Sequence, residues 1–161
     1  MKKQPECSSF RLTVQTHIHR TESPEKLEMA LKNIIRLSTT NVERQNIFVG
    51  TSNHVESLSI IYEQVKSRRT VSVLRRMLIN NLDGNTTSFL LNKQAAAAGV
   101  VAMIDRESES PLGGLRIQIQ CQPIQQVIDW LTYTSHADFH QKYRESDQAR
   151  SDKWYTTGSR L

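Results

Sequence analysis

Lys66, Arg68, Arg69, Arg75 and Arg76 crowd five cations into eleven positions, with no acid between Gln64 and Asn80. Arg68 and Arg75 are seven apart, as are Arg69 and Arg76, which is close to two helical turns. A bent pair of helices would bring all five to one corner. Clustered cations neutralise phosphates and give a salt-dependent affinity that ignores base sequence. The plainer alternative is a solvated face whose charges are answered by Glu56, Glu63 or an acid near the C-terminus.

A second polar set comes from two alternating stretches. Arg11, Thr13, Gln15 and His17 interleave with Phe10, Leu12, Val14, Thr16 and Ile18, while Arg116, Gln118 and Gln120 interleave with Leu115, Ile117 and Ile119. Period two places each polar set on one strand face. If the strands share a sheet, Arg, Thr and Gln line its outer side, where they can bond phosphate, ribose or base edges. No aromatic stands among them, so a base-stacking platform is not expected. Lys93, at the end of a strand, is a further candidate phosphate contact. Asn92 before it is expected to cap a turn, and Ala95 to Ala98 to allow close packing.

Other constellations carry less. His136 and His140 are four apart, but Ala137 stands where a metalloprotease helix needs Glu, and no third ligand accompanies them. His17 and His19 share a strand face and read as polar-face residues. Asp105, Glu107 and Glu109 fall in a loop that fixes no carboxylate geometry. Pro111-Leu112-Gly113-Gly114 lacks the spacing of a nucleotide-binding glycine loop and reads as a turn. No nucleophile elbow, deaminase signature or Cys-x-x-Cys occurs, so neither an enzyme nor a cofactor is expected.

The elements that must position these residues follow from the apolar pattern. Ser23-Pro24-Glu25 opens a helix carrying Leu27, Ala30, Leu31, Ile34 and Ile35 on one side. Ser38 to Gln45 is polar and reads as loop. Ile47 to Val49 is a short strand, stopped by Gly50 to Asn53. Leu58, Ile61, Tyr62 and Val65 form one helical stripe, and Val71, Leu74 and Leu78 another. At 100° per residue the two point to nearly opposite sides, so a break is expected near Arg68 to Thr70, with Thr70 as the cap. Asp83-Gly84-Asn85 is expected to terminate that third helix, with Gly84 in the left-handed position. Strands follow at 86–92 and 100–104, then the 115–120 strand, and Pro123 opens a last helix on Ile124, Val127, Ile128 and Leu131.

The chain has 161 residues, 37% hydrophobic and 23% charged, with a formal charge of +5 and a pI near 9.4. That length suits one domain with a lean core and no obligatory staple. The basic surplus favours polyanions, nucleic acid before membrane. No apolar run approaches the roughly 20 residues of a membrane span, and polar residues follow Met1-Lys2-Lys3, so no signal peptide is read. Two cysteines, Cys7 and Cys121, far apart, do not suggest a disulfide framework, and the cytoplasm is the expected compartment.

The run Asn85 to Ala96, with Asn92-Lys93-Gln94-Ala95-Ala96 at its end, the following Gly99, the Ser110-Pro111-Leu112-Gly113 loop and Ile128-Asp129-Trp130-Leu131 together resemble the archaeal UPF0201-type family, grouped with RNA-binding, exosome-subunit-like proteins. The resemblance spans about Phe10 to Leu131. It implies a two-layer fold like that of a large-subunit ribosomal protein, RNA as partner and no assigned catalytic residue. Gly114 departs from the bulkier residue expected there, and the stretch beyond Thr132 is longer than in the family. The expected architecture is α+β: a mixed, mostly antiparallel sheet of about five strands with four helices on one face. Residues 9–133 would form the domain, 1–8 a disordered lead, and 134–161 a polar extension, partly helical or disordered. The expected function is RNA binding in RNA processing through Lys66, Arg68, Arg69, Arg75 and Arg76, with Lys93, Arg11 and Arg116 as secondary contacts. The alternative is a non-enzymatic interaction scaffold or homodimer.

Overall fold

Residues 4–133 are described by the computed structural model. β1 (Ser8–His17) lies near the centre of a six-stranded sheet that continues with β2 (Thr39–Glu43), β3 (Ile47–Ser52), β4 (Thr86–Asn92), β5 (Met103–Ile104) and β6 (Gly114–Gln122). The spatial order is β2-β3-β1-β6-β4-β5, and every neighbouring pair is antiparallel. The sheet thus has one strand more than expected and no parallel pair.

The alternation read in β1 and β6 is the reason for this arrangement. Leu12 and Val14 face Ile119 and Ile117, and all four are buried. β4 contributes Phe89 and Leu91 to the same side, and β3 contributes Phe48. Four helices lay their apolar stripes on this face: α1 (Pro24–Lys32), α2 (Ser59–Ser67), α3 (Val71–Asn80) and α5 (Ile124–Leu131). Each buried Leu, Ile or Phe side chain contributes about 1.5–3 kcal/mol relative to exposure. Tyr62 of α2 stacks on Trp130 of α5 with ring centroids 4.7 Å apart, which fixes those two helices to each other. The other side of the sheet carries the polar partners of the alternation and, among the described residues, no helix.

Several local expectations need correction. Residues 39–43 form an edge strand, not a loop; all five are exposed, so no buried face marked them in the sequence. The 100–104 strand shrinks to Met103–Ile104. Gly84 does take a left-handed φ of +59°, but it sits in the turn that bridges Asp83 to Thr86, and α3 has already ended at Asn80. Ser23 and Thr70 occupy cap positions without capping through their side chains, and the Ser23 hydroxyl donates instead to Glu25 Oε2 at 2.6 Å. By contrast, Asn92 Oδ1 accepts from the Ala95 N–H at 3.1 Å and caps α4 (Lys93–Ala97) as expected. Cys7 and Cys121 are joined in a disulfide across β1 and β6, their Cα atoms 6.0 Å apart; 114 residues of sequence separation hid the pairing. The 134–161 extension, with the helix expected over 136–150 from the spacing of Phe139 and Tyr143, lies outside the described residues.

Candidate nucleic-acid interface

The break expected between the two apolar stripes is real. α2 stops at Ser67, α3 starts at Val71, and Arg69 takes a left-handed φ of 56° in the joint. The Thr70 N–H returns to the Val65 carbonyl at 3.0 Å, which turns the chain sharply. This turn brings Lys66, Arg68 and Arg69 to one end of α2 and leaves Arg75 and Arg76 on the second turn of α3.

The five cations are not equivalent. Lys66 donates to the Tyr62 hydroxyl, and its ammonium lies 4.0 Å from the Tyr62 ring centroid and 5.1 Å from that of Tyr133. Arg75 donates to Asp129 Oδ1 at 3.1 Å and to Thr132 Oγ1 at 3.0 Å. Arg76 lies 3.5 Å from Asp105 Oδ1, with both side chains more than half exposed. Pairs this exposed contribute about 0–1 kcal/mol, so a phosphate can displace either carboxylate at little cost. Arg68 and Arg69 are exposed and have no carboxylate partner among the described residues.

The expected secondary contacts do not join this corner. Arg11 and Arg116 are exposed on the helix-free face, turned away from α2 and α3. The register aligns Arg11 with Gln120, Thr13 with Gln118, and Gln15 with Arg116, so the two polar sets do form one surface. Arg11 and Arg116 stand four residues apart along it, roughly 13 Å. Lys93 is on neither surface. Only 3% of its side chain is exposed, and its ammonium donates to Glu22 Oε1 at 3.0 Å and to the His17 carbonyl at 2.6 Å. A cation spent on two internal acceptors is not available to phosphate. Nothing local in the sequence marked Glu22 as its partner, since 71 residues separate them. Asp105 and Asp129, the acids that answer Arg76 and Arg75, were also distant in sequence. His17 and His19 have ring centroids 5.5 Å apart, and among the described residues no group of three or more His, Cys, Asp or Glu is placed to hold a metal. The His136 and His140 pair lies outside them.

An antiparallel sheet backed on one face by helices that gather cations at a joint defines a class of small α+β proteins. Comparison narrows the class. A family model described as RNA binding matches residues 11–121. A UPF0201 protein of Sulfurisphaera tokodaii is 32% identical over 125 residues, covering 76% of this chain and 86% of the relative. One from Saccharolobus islandicus is 30% identical over 124 residues, with 75% and 86% covered. Among solved structures, the UPF0201 protein from Methanococcus jannaschii superposes with a TM-score of 0.63 at 22% identity, covering 78% of this chain and 94% of that one. A DUF54 protein from Methanothermobacter thermautotrophicus gives a TM-score of 0.52 at 17% identity, with 77% and 95% covered. The chain belongs to the UPF0201 family, and it also matches the family model described as RNA binding. The two structures share its fold. No helix among the described residues is long and apolar enough to cross a membrane.

Proposed function

We propose that this protein binds RNA through its phosphates at the α2–α3 joint and serves in RNA processing. The observation that supports it best is the pair Arg68 and Arg69, exposed at a fixed turn with no carboxylate partner among the described residues. Lys66 flanks them, and Arg75 and Arg76 extend the surface by exchanging weak carboxylate contacts for phosphate. The family description agrees with this partner. Such a surface reads charge spacing and not base sequence.

Filter retention of labelled single-stranded RNA across a salt series tests the reading. Each phosphate contact to a single strand contributes a slope of about −0.7 in log affinity against log salt. Changing Arg68→Gln together with Arg69→Gln is expected to weaken retention and to flatten that slope by about 1.4. An unchanged slope in the double variant overturns the assignment.

A further inference from the structure

One end of the bare sheet face opens into a cleft of about 540 Å³, formed where the loop before β6 meets β1 and β6. Its size falls within the roughly 300–1,000 Å³ of small-ligand sites. Gln15, His17, His19, Glu107, Ser110 and Arg116 line it. Gln15 and Arg116 are register partners on adjacent strands, and His17 is two residues further along the same face. We infer that this cleft binds a ribonucleotide, its phosphate on Arg116 and Ser110, its ribose against Glu107 and its base against the imidazoles of His17 and His19.

Four observations carry the assignment. The Ser110 hydroxyl is buried at the cleft wall and has no hydrogen-bond partner among the described residues, so an acceptor in the cleft would satisfy it. Arg116 is exposed at the cleft and has no carboxylate partner among the described residues, and a guanidinium fits phosphate oxygens two at a time. The two imidazoles have centroids 5.5 Å apart and planes tilted by 60°, so one can stack on a base while the other meets its edge, and imidazole is among the rings on which RNA-binding proteins stack bases. Glu107 argues against a bare anion, since its carboxylate would repel one; a ribose 2′-hydroxyl, which can donate to it, removes that conflict.

The walls are fixed before any ligand arrives. Beneath the histidines, Lys93 holds the His17 carbonyl, and Glu22 Oε1 accepts both the Lys93 ammonium and the His19 N–H, the latter at 3.1 Å. On the loop side, Thr16 Oγ1 donates to the Gly114 carbonyl at 3.0 Å, and the Gly113 N–H closes a turn onto Ser110 at 3.0 Å. A Cβ on Gly114 would come 3.1 Å from Ile104 Cδ1, which gives a reason for glycine where a bulkier residue was expected. The loop lacks a phosphate-loop spacing because recognition here runs through side chains. The cleft is independent of the α2–α3 joint, which lies on the other side of the sheet.

The test is a titration of the isotope-labelled full chain with AMP, adenosine, 2′-deoxy-AMP, inorganic phosphate and a short 5′-phosphorylated oligoadenylate, followed by NMR. AMP is expected to shift His17, His19, Ser110 and Arg116 saturably, with adenosine and phosphate each roughly tenfold weaker or more. Arg116→Gln and Ser110→Ala are each expected to lower AMP affinity while the core resonances stay in place. An oligomer that binds much more tightly than AMP identifies an RNA end as the ligand, and equal affinities identify a free nucleotide; both uphold the site. The absence of saturable shifts with millimolar AMP and with the oligomer overturns it, as do shifts that neither variant alters. AMP binding is expected to be unchanged in the Arg68→Gln, Arg69→Gln variant, so loss of RNA retention and loss of the cleft are separate failures.

Discussion

The Lys93 ammonium lies 3.0 Å from the Glu22 carboxylate inside the fold, with 3% and 12% of the two side chains exposed. The pair joins the helix that follows β4 to the turn that follows β1. Breaking a buried pair by removing one partner costs about 3–5 kcal/mol, because the other charge is left without compensation. Lys93→Met is therefore expected to lower stability by about 3 kcal/mol in urea unfolding. Adding Glu22→Gln to that variant should return part of the loss. If Lys93→Met unfolds at the wild-type midpoint, the pair is not holding this end of the domain.

At the α2–α3 joint, stability and binding pull in different directions. Arg69 holds a φ of 56°, a region that costs a residue with a Cβ roughly 1–2 kcal/mol. Arg69→Gly is expected to raise unfolding stability by up to about 1 kcal/mol and, at the same time, to reduce the salt slope of RNA binding by about 0.7. Calorimetry and filter retention on the same preparation check both signs. Loss of stability would mean that the arginine side chain packs more than its exposure suggests.

The acids beside the joint act as internal competitors for the same cations. Asp129 holds Arg75 at 3.1 Å and also accepts from Gln125 Nε2 at 2.9 Å, while Asp105 faces Arg76. Asp129→Asn with Asp105→Asn is expected to strengthen RNA retention several-fold at low salt, with stability changed by less than about 1 kcal/mol. A variant that binds RNA no better than the parent would place the phosphates elsewhere.

The start of α1 offers a measurement in acid. The Ser23 hydroxyl bonds the Glu25 carboxylate, and with help from the Glu25 backbone N–H it holds that carboxyl below its ordinary value. A depressed folded value means the contribution is present above the unfolded value and lost as pH falls through the folded one. Carboxyl-detected NMR titration should therefore show Glu25 titrating below the ordinary glutamate range, and Ser23→Ala should move it upward. Identical titration curves in the two proteins would remove the hydroxyl as the cause.

What could be read without coordinates was whatever one segment states on its own. β1 and β6 announced their buried faces by strict alternation, and the opposed stripes around Arg69 announced the break between α2 and α3. β2 announced nothing, because an edge strand with both faces in solvent has no alternation to show. Lys93 was read as a surface cation because burial of a lysine depends on a partner, and Glu22 is 71 residues away. The polar sheet face was legible as two separate sets, but only the strand register shows that they interlock and that they turn away from Lys66 to Arg76. The cleft was invisible for the same reason: Ser110 and the histidines belong to segments that meet only after folding.

The bond between Cys7 and Cys121 makes most of the chain a closed covalent circle, entered just before β1 and left one residue before the end of β6. A protease that cuts a single exposed loop inside that circle converts it to a line without releasing a piece. Such a nicked molecule would run as one band on a denaturing gel without reductant and as two with it, so integrity judged by mass alone would overlook the damage.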